Sequence, residues 1–313
     1  MLVPANETSI RAAAARLREG GIVAFPTETV YGLGALALDA RAVARIFDAK
    51  RRPSFDPLIV HVADERMLER IASEVPAAAR TLMERFWPGP LTIVLPRASG
   101  VPLVTTAGLE TVAVRMPSHP VARALLEAVG APLAAPSANA FGSLSPTRAQ
   151  HVAESLGESV DVILDGGTTP LGLESTIVRL TPHPALLRPG ALAVEEIEAA
   201  IGPVERETSD ATPSPGRLAH HYAPRTPLRI VEAEHVSLSE RQGAGYLAFM
   251  NDAPGYAAVR VLAPQGSLSE AAARFFEFLH ELDALGLRRI DAQPVPEVGL
   301  GLAIMDRLRR AAA

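Results

Sequence analysis

The sequence predicts an α/β protein of two unequal domains. Helical and strand periodicities alternate through residue 201, a proline-rich break spans Gly202 to Pro227, and a shorter alternation follows it. In the first part, Thr8 or Ser9 can cap a helix that runs to Glu19 and closes at Gly20-Gly21. The apolar run 22–25 then reads as a buried strand, and a turn-rich segment follows it. Asp39 can cap a helix through Ala49. Further strands are expected at 58–62, 91–95, 111–116, 132–135, 160–164 and 175–180, and further helices near 64–73, 76–86, 118–129, 146–156 and 193–201. This alternation implies a twisted, mixed sheet with flanking helices over residues 1–202. Pro203, Pro213, Pro215, Pro224 and Pro227 make residues 203–227 an interdomain linker. Strands at 228–231, 246–250, 259–262 and 289–292, with helices at 267–284 and 297–310, make residues 228–313 a smaller, Rossmann-like α/β domain.

Composition narrows the function classes. The chain has 313 residues, 48% of them hydrophobic and 21% charged, as in folded globular proteins. A net charge of −5 argues against a broad basic face for nucleic acid. With no cysteine, thiol catalysis, disulfides and zinc–cysteine sites are excluded. No apolar stretch reaches membrane-spanning length and the N-terminus has no secretory pattern, so a cytoplasmic protein is expected, with no membrane partner.

Of the 30 basic residues only Lys50 is a lysine, and it heads the turn Lys50-Arg51-Arg52-Pro53. Three cations in a row repel one another unless an anion or open solvent separates them, so the turn reads as a polyphosphate clamp or as a solvated basic face. Five other segments end or follow expected strands. Phe25 to Gly34 is hydroxyl-rich, with two glycines that let a ligand approach the backbone. His61 sits on an apolar strand, as a core histidine or a ligand contact. Arg115 ends a hydrophobic strand, where a substrate carboxylate or a structural salt bridge would satisfy its fork. Pro136-Ser137-Ala138-Asn139 with Ser145-Pro146-Thr147 sets small polar groups before a helix, as an anion site or as simple caps. Glu174-Ser175-Thr176 and Arg188-Pro189-Gly190 supply another hydroxyl pair and another strand-end arginine. The P-loop, the dinucleotide glycine motif, the zinc-protease helix and the nucleophile elbow are all missing, so any nucleotide binds outside those folds.

Taken together, Thr27-Glu28-Thr29-Val30-Tyr31-Gly32-Leu33, the Lys50 to His61 segment, Val114-Arg115-Met116-Pro117, Pro136 to Asn139, Glu174-Ser175-Thr176 and Arg188-Pro189-Gly190 resemble the YrdC family. Ser214 to Pro224 and the trailing domain are similar to its longer, two-domain Sua-type members. The resemblance implies a YrdC-like catalytic domain and a nucleotidyltransferase, an L-threonylcarbamoyladenylate synthase. It would join L-threonine, bicarbonate and ATP, with Mg2+ accompanying the nucleotide, and release pyrophosphate. The product would reach tRNA, beside the anticodon, through a downstream threonylcarbamoyl transferase. By the same resemblance Thr29, His61, Arg115, Ala135 and Ser175 would surround threonine. Arg52, Asp56, Thr111, Ser137, Ser145, Arg188 and Tyr222 would contact the nucleotide, with Lys50 and Arg52 as the catalytic cations. No residue is assigned as a metal ligand, although Asp56 could approach magnesium. The family often has Gly where Arg51 stands and Asn where Asp56 stands. The linker, with His220, His221 and Tyr222, could fold over the nucleotide as a lid. A carbamoyltransferase for another acceptor and a non-catalytic RNA-binding module are the rival readings.

Overall fold

The computed structural model describes residues 1–207 and 221–313. The linker motif from Ser214 to His220, proposed above as part of a lid, lies outside the described residues. The chain opens with β1 (Leu2–Pro4) and α1 (Glu7–Arg18). Asn6 caps α1, in place of Thr8 or Ser9. Its side chain accepts from the Ser9 amide at 3.0 Å, and Ser9 Oγ accepts from the Asn6 amide at 2.9 Å, which satisfies two orphan donors reciprocally. Next, β2 (Val23–Pro26) and β3 (Tyr31–Leu36) form an antiparallel hairpin, so the segment expected to be turn-rich is partly a strand. Glycines disguise β3 in the sequence. A Cβ on Gly34 would stand 2.7 Å from the Phe25 ring, so the missing side chain makes room for a core aromatic.

Asp39 does cap α2 (Ala40–Lys50), accepting from the Arg41 and Ala42 amides. The domain continues with β4 (Ile59–His61), α3 (Glu65–Glu69), α4 (Ala77–Phe86), β5 (Leu91–Pro96), α5 (Leu103–Thr106), β6 (Thr111–Arg115), α6 (Pro120–Val129), β7 (Leu133–Ala134), α7 (Ala149–Leu156), β8 (Val162–Asp165), β9 (Thr176–Arg179), β10 (Ala185–Arg188), α8 (Val194–Ile201) and β11 (Glu205–Arg206). These strands form one mixed sheet in the order β1-β8-β2-β3-β7-β4-β6-β5-β9-β10-β11. Parallel pairing of β4 with β6 sets His61 beside Arg115, and parallel pairing of β5 with β9 sets Leu91 beside Thr176. The interior strands are buried and apolar, and the helices cover the faces with apolar stripes such as Ala122, Leu125 and Leu126 of α6.

Beyond the linker come β12 (Leu228–Ile230), α9 (Leu238–Arg241), β13 (Gly245–Ala248), β14 (Ala258–Val261), α10 (Leu268–Asp283), β15 (Ile290–Ala292) and α11 (Leu300–Ala311). The four strands form an all-parallel sheet in the order β12-β15-β13-β14. Its core does not stop at the domain border. Phe275, Phe276, Ile304 and Leu308 belong to one buried apolar cluster with Val30, Leu144 and Leu173 of the larger domain and with Tyr222. Apolar area shared in this way couples the two sheets into one hydrophobic unit.

Gly172 is where the larger domain meets α10 most closely. Its φ is +67°, and a Cβ there would lie 2.5 Å from the Ala272 and Ala273 carbonyl oxygens. Gly172→Ala should lower the unfolding free energy by about 2–4 kcal/mol, from left-handed strain and overpacking together. Gly108→Ala is the control, because Gly108 has a φ of +82° but nothing within 4 Å of the added Cβ. It should cost only the strain, about 1–2 kcal/mol. Urea denaturation of both variants checks the difference.

Candidate active site

The central strands deliver their polar residues to one cavity, whose wall includes Thr29, His61, Arg115, Ala135 and Ser175. Arg115 is buried at the end of β6. Its Nε donates to the Gly89 carbonyl at 3.2 Å and its Nη1 to Thr29 Oγ1 at 2.9 Å, while Nη2 lies 2.6 Å from Glu28 Oε1. The structural salt bridge weighed for Arg115 is therefore present. Glu28 is itself fixed by the Ser118 amide, which donates to Oε2 at 3.0 Å. Nε and Nη1 each make one hydrogen bond and Nη2 meets Glu28 as an ion pair, so of the five N–H groups of a guanidinium at least one is left on each terminal nitrogen. Beside Arg115, the His61 imidazole meets Phe25 edge-on at 6.3 Å, and among the described residues its Nδ1 has no hydrogen-bond partner. Burial, helped by the Arg115 charge, pushes the His61 pKa from 6.5 down to about 3, so the ring is neutral at pH 7.

Arg52, Ser137, Arg188 and Tyr222 line the same cavity. Arg188 donates to the Ser175 carbonyl from Nε at 3.2 Å and from Nη2 at 2.9 Å, and Nη2 also reaches Ser175 Oγ at 3.2 Å. The residues named for the nucleotide and for threonine thus meet at Ser175, whose hydroxyl is also 2.8 Å from Thr92 Oγ1. Arg52 folds back on its own loop, donating to the Asp56 and Pro57 carbonyls at 3.2 and 2.9 Å and pairing with the Asp56 carboxylate at 2.9 Å. Tyr222 is buried with a φ of +63°, its ring 4.1 Å from that of His221. His221 also lines the cavity, and burial among Arg52, Lys50, Arg188 and Arg307 holds its pKa well below 6.5.

Lys50, Asp56, Thr111 and Ser145 stand outside that lining. Lys50 is the last residue of α2 and 1% exposed; its Nζ donates to the Ser137 carbonyl at 2.6 Å and to the Asn139 carbonyl. Burial first, and then the Arg52 charge, pull its pKa well below 10.5. The lone lysine thus ties the end of α2 to the turn that carries Ser137. Arg51, the C-cap of α2, has a φ of +52°, a left-handed conformation that suits the glycine often found there in the resembling family. Thr111 begins β6, about 13 Å from Arg115 at the usual strand rise. Neither Ser145 nor Thr147 caps a helix. α7 begins at Ala149 with no side-chain cap, Ser145 Oγ donates to the Glu174 carboxylate, and Thr147 Oγ1 donates to Glu277 at 3.1 Å.

Glu28 and Glu174 shape the cavity without having been assigned a role from sequence, and His221, expected as part of a lid, lies in its wall. The signal for Glu28 was the need of a buried strand-end arginine for an anion, with an acid standing between two threonines of the hydroxyl-rich turn. Among the described residues no three His, Asp or Glu side chains are grouped to hold a metal, and Asp56 is engaged by Arg52.

Comparison with known proteins gives the family and the fold. A family model described as "Telomere recombination" (Sua5, YciO and YrdC) matches residues 15–190, and one described as "Threonylcarbamoyl-AMP synthase, C-terminal domain" matches residues 192–313. The threonylcarbamoyl-AMP synthase of Pyrococcus abyssi is 46% identical, covering 98% of this chain and 94% of that relative. The enzyme of the same name from Bacillus subtilis is 46% identical with the same two coverages. Among solved structures, P. abyssi Sua5 complexed with L-threonine superposes with a TM-score of 0.93 at 44% identity, over 100% of this chain and 97% of that one.

The depressed pKa of His61 makes stability depend on pH. Between 6.5 and about 3 the unfolded chain binds a proton at this residue that the folded chain does not. Stability is therefore lost as pH falls through that window, by about 1.4 kcal/mol per pH unit at most from His61 alone. Denaturation of wild type and His61→Asn at pH 7 and pH 5 should show a smaller acid-side loss in the variant.

Proposed function

The chain belongs to the Sua5/YciO/YrdC family, in its two-domain form, and from that premise we propose that it makes L-threonylcarbamoyl-AMP from L-threonine, bicarbonate and ATP. It is a nucleotidyltransferase. One observation carries the reading: among the described residues five lysine or arginine side chains are buried, and all five stand in or beside the wall of this cavity, facing only three buried carboxylates there, Glu28, Asp56 and Glu174. A hole with that imbalance suits anionic substrates.

In this reading the threonine carboxylate takes the two N–H groups left on Arg115, and Thr29, His61, Ala135 and Ser175 enclose the rest of the amino acid. The neutral His61, with its bare Nδ1, can meet the amine or hydroxyl without charge repulsion. The threonine amine attacks the carbon of bicarbonate, water leaves, and a carbamate results. A carbamate oxygen then attacks the α-phosphorus of ATP, and pyrophosphate departs with the electron pair of the broken P–O bond. Arg52, Asp56, Thr111, Ser137, Ser145, Arg188 and Tyr222 are the nucleotide contacts; of the two catalytic cations Arg52 faces the developing charge, and Lys50 adds its charge from behind the turn that carries Ser137. Magnesium would enter as part of the MgATP substrate. The nucleophiles belong to the substrates, so the protein acts by holding them together and by electrostatic stabilisation. His221 and Tyr222 would close the cavity over the bound nucleotide and exclude water. The product would pass to a transferase that modifies tRNA, in the cytoplasm.

Purified protein with MgATP should release pyrophosphate only when both L-threonine and bicarbonate are present. Release indifferent to threonine would shift the reading to a carbamoyltransferase, and salt-sensitive RNA binding without turnover to an RNA-binding module. Arg115→Lys keeps a charge for Glu28 but loses the fork, and should raise the KM for threonine about 100-fold, a loss of about 3 kcal/mol. Mass spectrometry of the protein during turnover should find no carbamoylated or adenylylated side chain.

A further inference from the structure

The last helix, α11, buries Ala303, Ile304, Leu308 and Ala311 along one stripe, and Arg307 falls in that stripe with 0% exposure. A guanidinium so placed is very costly unless its partners are good. Its Nε donates to Glu174 Oε2 at 3.0 Å, and its Nη1 donates to the Pro189 carbonyl at 2.7 Å and to Asp306 Oδ2 at 2.8 Å. Its charged carbon lies 5.1 Å from the centre of the Tyr222 ring. The other oxygen of Glu174 accepts from Ser145 Oγ, and Pro189 is bonded to Arg188.

One side chain of the smaller domain therefore gathers three separate segments of the rest of the chain. They are the loop before α7 with Ser145, the end of β10 with Arg188, and the end of the linker with Tyr222. All three residues belong to the nucleotide set. Of the threonine set, Thr29, His61, Arg115 and Ala135 receive nothing from Arg307, and Ser175 is reached only at second hand, through its chain neighbour Glu174 and through Arg188.

We propose that Arg307 is a positioning residue for the nucleotide half of the active site, and that this is how the C-terminal domain takes part in the reaction: it sets Ser145 through Glu174, Arg188 through the Pro189 carbonyl, and Tyr222 through its ring face. The proposal rests on the function argued above. A mere pin between domains would predict a different pattern of losses, because loosening the interface would weaken both substrates as the fold weakened.

The test compares full-length wild type, Arg307→Lys and the double variant Glu174→Gln/Arg307→Met. The double variant removes both buried charges together, which protects the fold against an orphaned carboxylate. Calorimetry with a non-hydrolysable ATP analogue, calorimetry with L-threonine alone, and pyrophosphate release are measured on each, beside thermal unfolding. Expected are a tenfold or greater loss of affinity for the analogue and a matching rise in the KM for ATP in the double variant, with L-threonine affinity within twofold of wild type. Arg307→Lys should recover part of the nucleotide affinity. Analogue affinity unchanged in the double variant, or analogue and threonine affinities falling together in step with thermal stability, would overturn the proposal. The two readings separate in the wild type itself. If it binds the analogue but releases no threonine-dependent pyrophosphate, the synthase reading fails, while the binding comparison still decides the role of Arg307.

Discussion

Among the described residues, the burial of five basic side chains around one cavity is the constraint on which the rest of this structure depends. A guanidinium or ammonium removed from water carries a penalty of several kcal/mol unless hydrogen bonds and counter-charges replace its hydration. For Arg52 the replacements come from its own loop, and for the other four from distant parts of the chain. Glu28 and Gly89 hold Arg115, the Ser175 carbonyl holds Arg188, carbonyls of residues 137 and 139 hold Lys50, and Glu174 holds Arg307. Each cation thus fixes a loop as much as a loop fixes the cation. The cavity is preorganised because its walls are the counter-ions of its own charges.

The sheet makes this possible. β4 and β6 run parallel, so His61 and Arg115 arrive side by side at the same end, and β5 beside β9 brings Gly89, Thr92 and Ser175 to meet them. The second domain is joined to this arrangement by a continuous apolar cluster rather than by the linker alone. Its last helix can therefore hold a guanidinium against the first domain's carboxylate with little freedom to drift.

Most of the fold was legible because long apolar periods carry it. The strands at 91–95, 111–116 and 175–180 and the four strands of the smaller domain lie within a residue or two of their expected places. β3 was hidden because its two glycines weaken strand propensity, and at Gly34 the reason is the Phe25 ring on the neighbouring strand. The cap of α1 was misread because Asn6 and Ser9 share the work that a single residue was expected to do. At the site, the quoted motifs do converge on one cavity. Directions were not legible, however. Nothing in the order Lys50-Arg51-Arg52 says that the lysine turns inward to two carbonyls while Arg52 faces the cavity. For Arg307 a signal existed, an arginine on the apolar stripe of an amphipathic helix, but its partner Glu174 lies 133 residues away and only the fold brings them together.

The inward turn of Lys50 bears on the enzyme's own survival. A carbamoyl adenylate is a mixed anhydride, and such compounds acylate primary amines. Every basic residue of this chain other than Lys50 is arginine, whose guanidinium stays protonated and is no nucleophile at neutral pH. The one ε-amine is 1% exposed and hydrogen-bonded to two backbone carbonyls. On the proposed function, the acylating agent formed in the cavity therefore meets no accessible lysine to modify.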